Sequence, residues 1–194
     1  MSLPRVLLIA LQCAEAFEQG GIGYFLGGSL ASSLQGEPRS TNDIDFVVDL
    51  HPSQVEPLTR VLGGDFDVDV ESLKEAAARK SSWNIYHLPT LIKVDLFVLR
   101  TSPFDQSEFS RRHRMVLTPD GRALYVKSPE DSVLRKLLWF QQGGEVSTTQ
   151  WRDIVQILRV SGEQLDTRYM DTWAERLGVG VLLARARAEV TRAI

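Results

Sequence analysis

The chain has 194 residues, of which 43% are hydrophobic and 24% are charged, and its formal net charge is −3. This length suffices for one well-buried domain, or for a compact domain with a helical appendage, and the composition is that of an ordinary folded protein. The single cysteine, Cys13, excludes an intramolecular disulfide, and together with only three histidines it argues against a zinc cluster. Such sparse cysteine usage is typical of a reducing cytoplasm.

The N-terminal apolar segment 6–11 precedes Cys13 and resembles a lipoprotein-type signal at first sight. It is shorter than a secretion core of ~7–15 residues, and Gln12 stands where cleavage needs a small residue. The apolar residues instead share one helical stripe, which predicts a helix over 5–19: Val6, Ile9, Ala10, Cys13 and Phe17. Because no later apolar run approaches the ~18 residues of a membrane span, we expect a cytoplasmic protein without a membrane segment.

The residues that follow, up to position 127, alternate between strand and helix patterns. Alternating apolar residues between glycine, proline and aspartate breaks predict short strands at 22–26, 44–48, 66–70, 83–88 and 91–99. Helical periodicity predicts helices at 28–36, 52–62 and 72–80. The segment Pro119-Asp120-Gly121 is a turn signal, so the flanking residues are predicted to form a hairpin of 114–117 with 123–126.

From residue 128 to the end the pattern is helical. Ser128-Pro129 begins the first predicted helix with a serine cap and a proline in the first turn. Further cap and stop residues bracket three more helices: Ser147 with Gln150, Asp166 and Gly178. The predicted fold class is therefore α+β, with a mixed-sheet core at 1–127 followed by a C-terminal helical bundle at 128–194.

Two aspartates flank and enter the predicted strand 44–48. Asp43 and Asp45 are two residues apart, so on a strand they face the same side with Cα atoms ~6.6 Å apart. Two carboxylates so placed can converge on Mg²⁺, which takes oxygen ligands and typically uses one or two carboxylates beside phosphate oxygens. A solvated strand end is the alternative interpretation of this pair.

The second acidic strand, 91–99, has the same parity. Asp95 and Lys93 share the face opposite a row of apolar residues, and a lone carboxylate there is costly to bury unless it is paired or metal-bound. If the two strands are neighbours, Asp95 completes a triad with Asp43 and Asp45 that can hold two metal ions ~3.5–4 Å apart. Pairing of Asp95 with Lys93 or with an arginine is the alternative.

A glycine turn precedes the acidic strands. Gly27 and Gly28 end a predicted strand and open a helix, which lets backbone N–H groups and the helix N-terminus approach phosphate oxygens closely. Ser29 adds a hydroxyl donor, and Arg39 can add a charge-assisted contact to a triphosphate. Alone, such a turn is more often a plain connector. The order of glycine turn, Asp-x-Asp strand and third-aspartate strand indicates a nucleotide and metal site.

These segments, which read GGSLA and GEPRSTNDIDF in the sequence, resemble the signature of the DNA polymerase β-like nucleotidyltransferase superfamily. They are similar to the minimal bacterial nucleotidyltransferases related to abortive-infection toxins and to the small antibiotic-modifying enzymes. The segments 129–139 and 151–154 resemble the helical half of the same proteins. The resemblance covers roughly residues 20–160.

The resemblance implies that a nucleoside monophosphate is transferred from an NTP to an acceptor, with release of pyrophosphate. By position, Asp43, Asp45 and Asp95 are the implied ligands of Mg²⁺ or Mn²⁺, and Asp95 is also the implied general base. The implied contacts of the NTP are Gly27, Gly28, Ser29, Arg39 and Lys136. RNA, a protein side chain and a small-molecule hydroxyl are candidate acceptors, and an antitoxin or a second copy of the chain is a candidate partner.

Two other functions fit parts of the pattern. A glycosyltransferase also uses Asp-x-Asp, through Mn²⁺ and a nucleotide-sugar diphosphate, but the glycine turn and Asp95 have no required place there. A catalytically silent nucleotide-binding or partner-binding module on the same fold is the second alternative, although a pure binder could discard one acid. Some residues also have structural alternatives: Lys136 as a surface lysine, Glu130 and Asp131 as helix-cap charges, and Arg152 with Asp153 as a local ion pair.

Overall fold

The computed structural model describes residues 3–38 and 41–192. Contacts within the chain group it into two compact units, one within Met1–Leu30 and Thr41–Lys127 and the other within Ala31–Ser40 and Ser128–Ile194. Over the described residues, no helix combines the length and the apolar character needed to cross a bilayer.

Within residues 3–38 and 41–192, the strands and the helices between them belong to the first unit. Its elements are α1 (Arg5–Gln19), β1 (Gly23–Leu26), the start of α2 (Gly28–Gln35), β2 (Ile44–Asp49), α3 (Val55–Leu62), β3 (Phe66–Asp67), α4 (Val70–Arg79), β4 (Ser82–His87), β5 (Ile92–Val98), α5 (Pro103–Ser110), β6 (His113–Val116) and β7 (Ala123–Val126). The second unit contains the rest of α2 together with α6 (Pro129–Gln142), α7 (Thr148–Ser161), α8 (Thr167–Leu177) and α9 (Gly180–Arg192).

The strands of the first unit form one mixed sheet in the order β3-β4-β5-β2-β1-β7-β6. Strand β2 is parallel to β5 and antiparallel to β1, and β1 is parallel to β7. The edge pairs β3–β4 and β6–β7 are antiparallel, as is β4–β5. This order places the two acidic strands, β2 and β5, side by side in the middle of the sheet, which confirms the prediction that they are neighbours.

Alternating apolar residues explain why β2 is a central strand. Ile44, Phe46 and Val48 are fully buried on one of its faces, and β5 alternates in the same way. Phe17 of α1 and Tyr24 of β1 pack on Phe46 with ring centroids 5.2 and 5.7 Å away. Each large apolar side chain buried in this way contributes ~1.5–3 kcal/mol, so a one-residue slip in register is strongly disfavoured. The carboxylates of the strands are thereby fixed on the opposite face.

The helices of the second unit begin and end as the sequence predicts. Ser128, Ser147 and Asp166 each accept a hydrogen bond through the side chain from the backbone N–H three residues further on. Such a cap stabilises a helix by typically ~1 kcal/mol. Helix α8 ends at Gly178, whose φ of 72° is the left-handed conformation that glycine adopts without strain.

The predicted α+β class is confirmed, with two differences in detail. Strand β3 has two residues where the pattern predicts 66–70, because Asp69 caps α4 and the helix already begins at Val70. Helix α5 is not predicted by the apolar pattern, since Phe104 is its one buried apolar residue. Ser102 caps this helix by accepting from the N–H of Asp105, and Pro103 follows in the first turn.

Candidate active site

Asp45 and Asp95 are register partners on the parallel strands β2 and β5. Neighbouring strands lie ~4.8 Å apart and paired residues face the same side, so the two side chains share one face of the sheet. Asp43 directly precedes β2 and is exposed. On the other side of Asp95, its partner on β4 is Asn84. The sheet therefore brings two of the three predicted carboxylates next to each other.

The glycine turn between β1 and α2 lies against Asp45. The Gly27 N–H donates to the Asp45 carbonyl oxygen at 2.8 Å, which ties the turn to β2. Gly28 has a φ of 58°, and a Cβ atom built on it would overlap the Asp45 carboxylate, so only glycine fits here. The Gly27 N–H is therefore engaged with β2, and Gly28 and Ser29 lie at the start of α2.

Negative charge is concentrated around Asp45. Burial and the charges of Asp95 and Asp43 raise the pKa of Asp45, while the ammonium groups of Lys93 and Lys127 oppose the rise. Lys93 Nζ lies 2.8 Å from Oδ2 of Asp95, and this hydrogen bond is the main reason why the pKa of Lys93 is raised. Mutual repulsion of carboxylates in a half-buried setting is relieved by a bound cation.

The three carboxylates do not form a ready-made three-ligand group. Across residues 3–38 and 41–192, no set of three or more His, Cys, Asp or Glu side chains is arranged to hold a metal ion. The convergence of all three carboxylates on one metal site stays a prediction. The donor set itself fits Mg²⁺ or Mn²⁺, because Asp45 and Asp95 offer adjacent carboxylate oxygens, the ligands that hard cations prefer. In this arrangement the ammonium of Lys93 is the cation that contacts Asp95.

Lys127, directly after β7, is a charged residue that the motif analysis does not single out. Its side chain is 6% exposed, and its Nζ lies 3.2 Å from Oε1 of Glu108, which is 4% exposed. The same ammonium lies 5.5 Å from the ring centroid of Phe25. The Cε atom is 3.7 Å from the position that a Cβ on Gly27 would take. The glycine turn thus has a buried cation beside it.

The structure describes one of the two positively charged residues that the sequence predicts for the site. Arg39 lies outside the described residues. Lys136 belongs to the second unit, where its Nζ is 2.9 Å from Oδ2 of Asp153 and the two side chains are 7% and 8% exposed. Lys136 is therefore a buried, ion-paired lysine rather than a surface one. Arg152 contacts Glu37 at 2.6 Å, and the charge of its neighbour Asp153 also contributes to the raised pKa of Arg152.

Glu130 and Asp131 occupy the first turn of α6 and are both buried. Asp131 accepts hydrogen bonds from the hydroxyl groups of Ser128 and Tyr169. Glu130 accepts one from the backbone N–H of Asp166 at 3.0 Å. These carboxylates therefore link the start of α6 to α8, in addition to lying in the turn where negative charge favours a helix.

The second unit also contains an open cavity of about 320 Å³. Phe140 and Trp151 lie in its wall, with ring centroids 5.1 Å apart. The Arg185 guanidinium lies 4.3 Å from the Trp151 ring centroid, and Trp151 Nε1 donates to Glu189 at 2.8 Å. The residues that line this cavity include none of the predicted site residues.

No family model and no curated protein sequence matches the chain. Its structure, in contrast, is similar to that of an antigenic nucleotidyltransferase-like protein from Paracoccidioides brasiliensis. The two are 19% identical, with a TM-score of 0.60 over 96% of this chain and 93% of that one. The chain has a nucleotidyltransferase fold.

Two further structures share this nucleotidyltransferase fold. The antibiotic-resistance factor ANT(2'')-Ia is 14% identical, with a TM-score of 0.55 over 97% of this chain and 96% of that one. The lincosamide antibiotic adenylyltransferase LnuA, solved with lincomycin bound, is 16% identical, with a TM-score of 0.50 over 80% of this chain and 96% of that one. Similarity at these identities establishes the fold. It confirms the fold that the sequence resemblance implies.

Proposed function

We propose that the chain is a metal-dependent nucleotidyltransferase, which moves a nucleoside monophosphate from an NTP to an acceptor and releases pyrophosphate. The observation that carries this proposal is the register pairing of Asp45 with Asp95, with Gly28 packed directly against the Asp45 carboxylate. The fold supports it, because an antibiotic adenylyltransferase has the same architecture over nearly its full length.

The proposal gives each part of the site a role. The carboxylates of Asp43, Asp45 and Asp95 are the ligands of Mg²⁺ or Mn²⁺, which would supply positive charge beside the reacting phosphate when bound. Gly28 and Ser29 hold phosphate oxygens at the start of α2, where the helix dipole and the backbone N–H groups favour anions. Gly27 shapes the turn, while Arg39 and Lys136 stay predicted contacts of the nucleotide.

Asp95 is the proposed general base. Its carboxylate accepts the proton of an acceptor hydroxyl, whose oxygen then attacks the α-phosphorus of the NTP in line. The bond from the α-phosphorus to the pyrophosphate oxygen breaks as the new phosphorus–oxygen bond forms. No side chain of the protein becomes covalently bound in this reaction, so the chain needs no activated serine or cysteine nucleophile.

The acceptor is proposed among RNA, a protein side chain and a small-molecule hydroxyl. Size and architecture favour the small molecule. The structure of ANT(2'')-Ia with adenylyl-2''-tobramycin matches 95% of this chain, and the match covers 98% of ANT(2'')-Ia. A toxin–antitoxin role and a homodimer rest on the sequence resemblance alone. We place the reaction in the cytoplasm, where NTPs and Mg²⁺ are available.

Transfer of label tests this function. The protein is incubated with Mg²⁺ and each of the four α-³²P-labelled NTPs, together with total RNA, a protein fraction or a panel of hydroxylated antibiotics. We expect label on one acceptor class and an equal amount of pyrophosphate, and neither product with Asp45→Asn. Absence of both products with every NTP and every acceptor class would contradict the enzyme proposal.

A silent nucleotide-binding module is the second candidate, and one observation favours it. Lys93 contacts Asp95 and so gives this carboxylate a partner other than a metal ion. Calorimetry with a non-hydrolysable NTP analogue separates the two functions when it is combined with the transfer assay. Tight binding without transfer identifies the module, and binding with transfer identifies the enzyme.

A further inference from the structure

Lys93 projects from the same face of β5 as Asp95, two residues before it. Its Nζ lies 2.8 Å from Oδ2 of Asp95, and the two side chains are 37% and 14% exposed. The negative charge of Asp43 also interacts favourably with the Lys93 ammonium. Asp43, Asp45 and Asp95 form an acidic cluster. Lys93 is therefore held at the edge of this cluster by Asp95, which is more buried than the lysine itself.

The single positive charge of the Lys93 ammonium does not balance the negative charge of this cluster. Asp43, Asp45 and Asp95 together carry up to three negative charges, and Lys93 neutralises one of them. A divalent cation supplies twice that charge and takes carboxylate oxygens at ~2.0–2.1 Å, closer than an ammonium hydrogen bond of ~2.8 Å. The ammonium lies against Oδ2 of Asp95 and repels a cation that approaches the same oxygen, so a metal ion that binds there competes with Lys93.

We propose that Lys93 is a displaceable counter-ion, which holds Asp95 while no metal is bound and leaves it when a divalent cation binds. This inference rests on the proposed function and assigns it a residue that the fold similarity does not supply. Lys93 is a positioning residue, because it acts on the metal and the acceptor through Asp95. Its flexible four-carbon stem and its partial exposure allow the ammonium to rotate away without a change in the backbone.

A purely structural ion pair makes a different prediction. Removal of Lys93 would then lower the stability slightly, as for other half-exposed ion pairs, and would leave the affinity for a metal ion unchanged or reduced. Removal of a competing counter-ion instead makes the metal bind more tightly, because the ion no longer has to displace the ammonium. Metal affinity, measured without nucleotide or acceptor, therefore separates the two roles.

The test compares Mn²⁺ binding by the parent protein and by Lys93→Met, with free Mn²⁺ followed by electron paramagnetic resonance. We expect Lys93→Met to bind Mn²⁺ about fivefold more tightly, the upper end for a half-exposed ion pair. In EDTA its Tm is expected to fall, because the three carboxylates then repel with less positive charge beside them. Mn²⁺ should therefore raise the Tm of Lys93→Met by more than it raises that of the parent.

Lys74→Met is the matched control, because Lys74 pairs with Glu56 and Glu71 on α3 and α4 and is not part of the acidic cluster. It should bind Mn²⁺ like the parent. Lys93→Gln, which keeps a polar side chain, should repeat the gain of Lys93→Met. An unchanged or weaker affinity in both Lys93 variants overturns the counter-ion role while the parent still binds Mn²⁺. If the parent does not bind Mn²⁺ more tightly than Asp45→Asn does, the proposed metal-dependent function itself fails.

Discussion

Gly28 lies so close to Asp45 that no side chain fits between its Cα atom and the Asp45 carboxylate. The left-handed φ of 58° at Gly28 also requires glycine, because other residues adopt this backbone conformation only with strain. The turn that begins α2 and the carboxylate on β2 are therefore one packed unit, in which a change on either side moves the other.

Gly28→Ala tests this packing. We expect a loss of ~1–3 kcal/mol in the free energy of unfolding, because alanine at a left-handed φ is strained and its Cβ displaces the Asp45 carboxylate. Binding of Mg²⁺ and of NTP should weaken with it. Gly64→Ala is the matched control, since a Cβ there has nothing within 4 Å. Chemical denaturation and calorimetry measure both effects, and parent-like values for Gly28→Ala would show that the turn and the carboxylate are independent.

Much of the architecture follows from local patterns in the sequence. Period-two alternation predicts which face of β2 and β5 carries the carboxylates, and cap residues predict the helices of the second unit. Helix α5 is missed because it has no apolar stripe, although Ser102-Pro103 gives the same start signal as Ser128-Pro129. A search for that signal alone would find it.

Contacts between distant residues cannot be predicted in this way. The pairing of Asp45 with Asp95 depends on the order and register of the strands, which one sequence constrains only through the apolar faces. The ion pair of Lys127 with Glu108 joins a strand end to a helix, and no spacing rule connects them. The choice of Lys93 as partner of Asp95 is visible as one alternative in the sequence, and the side-chain geometry decides it.

Asp45→Asn separates stability from metal binding. At pH 7 in EDTA, the variant should be as stable as the parent or should melt up to about 2–4 °C higher, the shift that 1 kcal/mol causes in a chain of this size. The reason is that asparagine removes one of the mutually repelling charges at nearly constant volume. Mg²⁺ should raise the Tm of the parent and not that of Asp45→Asn. A lower Tm in EDTA for the variant would contradict the repulsion.

The same repulsion predicts a dependence on pH. Because the pKa of Asp45 is raised in the folded state, the folded protein keeps this proton at pH values where the unfolded chain has lost it. The resulting cost is absent below the unfolded pKa of ~3.9, grows as the pH rises, and is complete above the folded pKa. The Tm advantage of Asp45→Asn in EDTA should therefore be largest at pH 7 and should shrink as the pH approaches 4. An advantage that is equal at both pH values would argue against the carboxyl group as its source.

Asp95→Asn tests the general base. Asparagine keeps the shape of the side chain but cannot accept the proton of an acceptor hydroxyl, so transfer should fall by ~10²–10⁴-fold. Binding of Mg-NTP should be largely retained, since Asp45 and the glycine turn are unchanged. Single-turnover kinetics and calorimetry measure the two quantities on one preparation. Equal losses in nucleotide affinity and transfer rate would show that Asp95 acts as a metal ligand alone, without the additional role of base.

The buried pair of Lys127 with Glu108 beside the glycine turn gives the last prediction. Lys127→Met removes the ammonium that contacts the buried Glu108 carboxylate, and loss of one partner of a buried pair typically costs ~3–5 kcal/mol. Glu108→Leu should cost a similar amount, and the double variant should lose much less than the two single losses combined, because the two opposite charges are then removed together.

Denaturation with urea measures these differences, and Arg79→Ala is the control, because its pair with Glu75 on α4 is exposed and is worth at most ~1 kcal/mol. Single variants that cost no more than Arg79→Ala would show that the buried charges are well solvated. The double variant also carries information on function, because Lys127 partly offsets the repulsion at Asp45. Without this ammonium, the double variant should therefore bind NTP more weakly than the parent while it stays folded.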